Sequence, residues 1–219
     1  MDNIRVSVLV SGGGTNLQAL IDRLEKGDIH AEIIKVISSR KKAFALERAK
    51  KHHISHEVIR PKDFDKEADF SQALLDSLVR SRTDLVLLAG FMSVLGPAVV
   101  RHYRNRIMNI HPSLIPSFCG AGMFGERVHR EALKYGVKIS GCTVMFVDEG
   151  VDTGPIILQA AVPVKDNDTV DTLQKRVLQE EHRLYPEAVK LFAEGRLVVS
   201  GRHVKILPVD KDGREEIKW

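Results

Sequence analysis

Apolar, β-branched runs alternate along this chain with stretches whose apolar residues recur every three to four positions. The first pattern predicts strands at Ile4–Val10, Ile33–Ile37, His56–Ile59 and Leu85–Ala89, and the second predicts helices at Leu17–Lys26, Ala43–His52 and Lys66–Ser81. Gly27 stands where a C-terminal cap would close the first helix. The run DLVLLAG is apolar at nearly every position, as in a strand covered on both faces of a parallel sheet. Alternating strands and helices then predict a doubly wound α/β fold, with a mostly parallel sheet and helices on both faces.

The second half keeps the alternation. A short helix at Pro97–Tyr103 leads to a strand at Ile107–Ile110, which runs into His111-Pro112, and Ser113–Gly125 reads as a loop rich in Pro, Gly and Ser. A helix at His129–Tyr135 precedes strands at Lys138–Val147 and Pro155–Val164, joined by the loop DEGVDTG. A long helix spans Val170–Glu194. Pro186 is expected to bend or interrupt it, because proline has no N–H to donate and its ring meets the preceding turn. Gly195 ends the helix, and two short strands, Leu197–Val199 and Val204–Ile206, flank the turn Ser200-Gly201. Residues 1–208 are expected to form one domain and the charged tail 209–219 to be mobile.

Composition narrows the class. Hydrophobic residues at 43% and charged residues at 28% belong to a soluble globular chain, which argues against a disordered or membrane-embedded one. The first apolar run is too short to span a membrane, and no small-residue cleavage site follows a longer one. A net charge of +4 with mixed signs describes a solvated surface; it would suit an anionic small molecule, and no nucleic-acid partner is expected. Cys119 and Cys142 have no CxxC spacing and no second pair, so reduced thiols in a cytoplasmic protein are expected rather than a zinc site or a disulfide framework.

Two segments carry chemistry. Ser11-Gly12-Gly13-Gly14-Thr15-Asn16 joins the first strand to the first helix, where glycines allow close approach and free N–H groups at a helix N-terminus attract phosphate. The segment is neither G-x-G-x-x-G nor the GK[ST] loop, so neither a dinucleotide nor ATP is indicated. A tight turn with Thr15 or Asn16 as helix cap is the other reading; the position at the carboxyl end of a strand favours phosphate.

The second segment is Asn109-Ile110-His111-Pro112. Asn109 and His111 lie two apart at a strand end and so share a face. The Asn109 amide can donate to a developing oxyanion, and His111 can move a proton near neutral pH. The loop Asp148–Pro155 offers a carboxylate to hold the imidazole, unless it is only a solvated turn. An oxyanion donor, a proton carrier and a carboxylate point to a transferase or hydrolase acting at a polarised carbonyl, on a phosphorylated ligand.

VSGGGTNLQALID, AFALERAK, LAGFMSVL, NIHPSLIPSF and VDEGVDTGPIILQA follow one another in the order found in a known family. From about Ile4 to about Leu197 the chain resembles the phosphoribosylglycinamide formyltransferases, and SGGGTNLQ with QEEHRLYPEAV narrows the resemblance within the wider formyltransferase group. The resemblance implies a fold of the formyltransferase type. It also implies transfer of the formyl group of 10-formyltetrahydrofolate, a co-substrate, to the amine of glycinamide ribonucleotide in de novo purine biosynthesis. Attack would be direct, through a tetrahedral intermediate and without a metal.

By the same resemblance Asn109, His111 and Asp152 are the catalytic residues. Asn109 and protonated His111 would polarise the formyl carbonyl, with His111 as general acid and Asp152 as its partner. Gly14, Thr15, Asn16 and Glu181 would bind the ribonucleotide. Met92, Ser93, Val94, Leu95, Asn109, Asp148, Glu149, Gly150, Val151 and Asp152 would form the folate pocket, largely through backbone. A solvated helix face is the other reading of Glu181, and core packing that of Met92, Val94 and Leu95.

The chain departs from the family in places. Met145 stands where many relatives have His, and Ser93 where some have Arg. Phe118–Val128 is longer than the shortest family loops, Arg127 replaces a substrate-contacting His, and no basic folate-contacting residue is matched near Lys66. Three rivals are expected to fail. Formyltetrahydrofolate deformylases carry an added N-terminal regulatory domain, and methionyl-tRNA formyltransferases a C-terminal RNA-binding domain for which the end of the chain leaves no room. A noncatalytic nucleotide-binding module would have no reason to keep Asn109, His111 and Asp152 together.

Overall fold

The structure, a computed structural model, describes residues 3–208; the tail expected at 209–219 lies outside the described residues. Its elements are β1 (Ile4–Val10), α1 (Thr15–Leu24), β2 (Ala31–Ser38), α2 (Phe44–Lys51), β3 (His56–Val58), α3 (Glu67–Arg80), β4 (Leu85–Leu88) and α4 (Pro97–His102). They continue with β5 (Ile107–His111), α5 (Glu126–Tyr135), β6 (Ile139–Phe146), β7 (Ile156–Pro163), α6 (Val170–Ala193), β8 (Leu197–Ser200) and β9 (His203–Ile206). One sheet runs in the order β3-β2-β1-β4-β5-β6-β7-β9-β8. Strands β3 to β5 are parallel, β6 is antiparallel to both β5 and β7, and β9 is parallel to β7 and antiparallel to β8.

The apolar run of each central strand is divided between two cores by the strand's period of two. Val6, Val8 and Val10 of β1 join Leu85 and Leu87 of β4 on the face covered by α1 and α6, with Leu17, Leu20, Val177 and Leu184. Leu9, Val86 and Leu88 face the other way, against Phe70 and Leu74 of α3 and Val99 of α4. Each such side chain contributes about 1.5–3 kcal/mol on full burial, so the two faces hold the sheet from both sides.

One alternative reading and one expectation are corrected. Gly14, in the left-handed conformation (φ 72°), is the residue that precedes α1, and neither Thr15 nor Asn16 caps it with a side chain. Of the bend or interruption expected at Pro186, the interruption does not occur: α6 is one helix from Val170 to Ala193. A proline in a helix interior costs about 3 kcal/mol or more. Here Pro186 is itself buried, as are Leu184, Tyr185, Ala188 and Val189 beside it on the helix, and that packing offsets the lost bond. The start of α6 is also fixed. Thr169 and Thr172 form a reciprocal cap, and Asp168 accepts two hydrogen bonds from Arg176, at 2.7 and 2.8 Å. The Arg176 guanidinium holds the Asp168 carboxyl well below the usual carboxylate range.

Tyr185 sets where α6 lies over the sheet. Its buried hydroxyl is 3.1 Å from the Leu88 carbonyl, at the carboxyl end of β4, and 2.9 Å from that of Met108, early in β5. Strand order reverses between β1 and β4, since β2 lies on one side of β1 and β4 on the other. A crevice opens at such a reversal, beyond the carboxyl ends of the strands.

Candidate active site

That crevice is a cleft of about 890 Å³, lined by the connections that follow β1, β4, β5 and β6 and by one face of α6. Every residue singled out from the sequence for catalysis or binding lines it.

At one end lies the glycine loop. Gly14 has to be glycine on two counts. Its φ of 72° is left-handed, and a Cβ there would stand 2.7 Å from the Ala45 Cβ and 2.9 Å from the Ala45 Cα. Asn16, on the first turn of α1, donates through Nδ2 to Glu181 Oε2 at 2.7 Å. Glu181 comes from α6 one turn before Tyr185, so the tyrosine that seats the helix also seats the carboxylate. Only 7% of Glu181 is exposed, which overturns the solvated-face reading. Burial raises its carboxyl above the ordinary value, and the Asn16 amide opposes this in part.

At the other end β5 delivers Asn109 and His111. The His111 Nε2 is 2.9 Å from the Phe118 carbonyl, which can only accept, so Nε2 carries a proton. His111 Nδ1 faces Asp152 Oδ2 at 3.6 Å, and the Asn109 amide lies 3.5 Å from Asp152 Oδ1. The Gly120 N–H donates to Asp152 Oδ2 at 2.9 Å, fixing the carboxylate between two loops. Asp152 itself is held at a φ of 56°, unusual for a residue with a side chain. Its loop is tied down on both sides. The Asp148 Oδ1 accepts from the Gly150 N–H and the Thr153 hydroxyl, and Gly154 lies so close to β6 that a Cβ would fall 1.8 Å from the Phe146 carbonyl.

The wall between the two ends is apolar and partly open. Met92, Val94 and Val151 are 46%, 63% and 47% exposed, so core packing does not explain them; Leu95, at 8%, does pack into the second core. The Met92 N–H donates to Ser11 Oγ at 2.8 Å, which ties this wall to the glycine loop. Ser93, Glu149 and Gly150 complete it with backbone and polar edges.

Sequence reasoning missed His129, which it placed only as the start of a helix. The helix begins at Glu126, and His129 sits on its buried face with Val128 and Ala132, lining the cleft. Its Nδ1 is buried without a hydrogen-bond partner among the described residues. Burial, helped by the neighbouring His111, pushes its imidazole down to about 4. The three-to-four spacing of Val128, His129 and Ala132 marks the buried face of the helix, but not that this face borders the cleft. Arg127, by contrast, is exposed and is not among the cleft residues. Met145 is buried on β6 directly opposite Asn109. Burial and the Asp152 carboxylate together raise the Cys119 thiol. No group of three or more His, Cys, Asp or Glu suited to a metal ion occurs among the described residues.

A cleft with an anion loop and buried carboxylate at one end, and an amide, an imidazole and a carboxylate at the other, can hold a phosphorylated amine against a carbonyl. It can also stabilise the charge that forms when they react. The profile of the formyl transferase family matches residues 4–189. The phosphoribosylglycinamide formyltransferase of Escherichia coli (strain K12) is 40% identical over 194 residues, covering 89% of this chain and 89% of that protein. The trifunctional purine biosynthetic protein adenosine-3 of Drosophila melanogaster is 46% identical over 198 residues, covering 90% of this chain but 14% of that longer protein. Among solved structures, glycinamide ribonucleotide transformylase 1 from Symbiobacterium toebii superposes with a TM-score of 0.90 at 50% identity, covering 94% of this chain and 95% of that one.

Proposed function

This chain belongs to the formyl transferase family, and from that premise we propose that it is a phosphoribosylglycinamide formyltransferase of de novo purine biosynthesis. It transfers the formyl group of 10-formyltetrahydrofolate to the amine of glycinamide ribonucleotide. The observation that carries the proposal is that one cleft joins the glycine loop and buried Glu181 to the corner formed by Asn109, His111 and Asp152.

The ribonucleotide phosphate is held by Gly14, Thr15 and Asn16 at the N-terminus of α1, where backbone N–H groups and the helix dipole favour an anion. Glu181 accepts from the glycinamide amine and aims it at the formyl carbon. The folate ring lies against Met92, Ser93, Val94 and Leu95 and the backbone of Asp148, Glu149, Gly150, Val151 and Asp152. When the amine nitrogen bonds to the formyl carbon, negative charge gathers on the formyl oxygen. The Asn109 amide and the protonated His111 stabilise it, and one such donor is worth roughly 3–4 kcal/mol in the transition state. The amine then gives up one proton and the folate nitrogen gains one. His111 gives its proton to the folate nitrogen as general acid and is reprotonated by the proton the amine loses, Asp152 holds the imidazole in place throughout, and the bond between formyl carbon and folate nitrogen breaks.

On this basis residues 1–208 act as one formyltransferase domain on two small molecules, in the cytoplasm, without a nucleic-acid or membrane partner and without a metal. No helix among the described residues is long and apolar enough to cross a membrane.

The deciding experiment follows folate consumption and formylated product in parallel, with and without glycinamide ribonucleotide, after exhaustive chelation. Little turnover with the folate alone, and matched product formation once the ribonucleotide is added, is the expected result. Rapid formate release that ignores the acceptor would make the protein a deformylase.

A further inference from the structure

The family-like motif AFALERAK, on α2, plays no part in the cleft: none of residues 43–50 lines it. Yet α2 grips the glycine loop from behind. The Ala45 N–H donates to the Gly12 carbonyl at 3.1 Å, and Arg48 Nε donates to the Gly13 carbonyl at 2.9 Å. A trans peptide points its C=O and the following N–H in opposite directions. With the carbonyls of Gly12 and Gly13 drawn toward α2, the N–H groups of Gly13 and Gly14 turn away from it, toward the cleft. Neither of those N–H groups has a hydrogen-bond partner among the described residues.

Arg48 is itself held in one orientation. Its Nη1 donates to Gln18 Oε1 at 3.0 Å, its guanidinium carbon lies 5.1 Å from the centre of the Phe44 ring, and Gln18 is fixed in turn by Asp22 and His52. The guanidinium thus reaches a carbonyl, an amide and an aromatic ring at once, which the single rotating ammonium of a lysine does not reproduce.

We propose that Arg48 is the positioning residue of the phosphate loop. By holding the Gly13 carbonyl it fixes the peptide plane that presents the Gly14 N–H, and so sets affinity for the phosphate of the ribonucleotide without touching it. The proposal rests on the ribonucleotide reading given above, and its test separates the two. Arg48→Lys and Arg48→Gln are compared with the unaltered protein for kcat, for KM toward each substrate, and for the thermal shift produced by ribose 5-phosphate, which needs no catalysis.

Both variants are expected to raise the KM for glycinamide ribonucleotide about tenfold, the size of one charge-assisted hydrogen bond. The ribose 5-phosphate shift should shrink in step, while kcat and the KM for the folate change by less than about twofold. Full retention of phosphate-ester affinity in the Lys variant would show that charge alone suffices and overturn the proposal, as would equal losses toward both substrates. If Arg48→Gln does not fold, the Lys variant decides. A protein whose affinity for ribose 5-phosphate depends on Arg48 but which formylates no ribonucleotide would leave this inference standing and remove the functional one.

Discussion

The two ends of the cleft, which the proposed function makes its phosphate end and its reacting end, are built on different principles. At the phosphate end the geometry belongs mainly to the backbone: a left-handed glycine is pressed against Ala45 and carbonyls are held at 2.9 and 3.1 Å, while the one side-chain pair there, Asn16 with Glu181, is tight at 2.7 Å. At the reacting end it belongs to side chains on two loops, and the contacts of Asp152 with His111 and Asn109 are 3.6 and 3.5 Å. Charge-assisted hydrogen bonds are typically about 2.7–2.9 Å, so the triad has slack that the loop does not. A phosphate looks the same before and after reaction and can be met by a rigid mould. A formyl group changes charge and shape as it reacts, and donors that tighten in the transition state give more rate than donors already satisfied in the ground state.

The largest expected effects come from the reacting end. Asn109→Ala should lower turnover by roughly 10²–10³, the usual effect of losing an oxyanion donor. His111→Ala should lower it by roughly 10²–10⁴, with both KM values nearly unchanged. Steady-state kinetics decide this, and near-normal turnover in either variant removes that residue from the chemistry. At the phosphate end Gly14→Ala should do the opposite. The left-handed backbone and the clash with Ala45 displace the loop, and the loss of one or two charged hydrogen bonds raises the KM for the ribonucleotide roughly 10- to 100-fold with the folate KM little changed. Equal damage to both substrates would erase the contrast between the ends.

Smaller effects sharpen it. Glu181→Gln keeps an acceptor for Asn16 but removes a buried charge. It should cost about tenfold in kcat/KM for the ribonucleotide while leaving thermal stability level or slightly higher. A large loss of stability would mean that the carboxylate serves the fold.

The last prediction concerns pH and acts on stability rather than on rate. His129 is lowered from 6.5 to about 4, so between those values the unfolded chain binds more protons than the folded one. Stability therefore falls as pH drops from about 6.5 toward 4, by on the order of 3 kcal/mol at most. Glu181 has the opposite sign. Its raised carboxyl gives a contribution present below 4.5 that is lost as pH rises through the folded value. Denaturant titrations across this range should show the acid-side loss flattened in His129→Gln and steepened in Glu181→Gln, which removes the opposing contribution.

Much of the backbone was legible before any coordinate. Ile4–Val10 is a strand with the bounds its apolar run predicts, and DLVLLAG contains β4, buried on both faces as its unbroken apolar pattern requires. Asn109 and His111 share a face because strand geometry leaves no alternative. Edges were less legible: β2 starts at Ala31, two residues before its β-branched core, and α5 starts at Glu126, three before the position its pattern suggested. Strand and helix ends depend on pairing and capping partners that lie elsewhere in the chain.

What the sequence determined by itself was therefore local: which segments extend or coil, and which residue types stand where strands give way to loops. Period and turn chemistry are properties of neighbouring residues, and they survive in any arrangement of the elements. Only the tertiary structure decided that Glu181 is buried, since its partner Asn16 is 165 residues away. The same holds for the unbroken helix through Pro186, for His129 facing the cleft, and for α2 seated behind the glycine loop. Burial, desolvation and close contact arise between segments remote in the chain, so no local pattern encodes them. They come into being when the sheet brings the segments together.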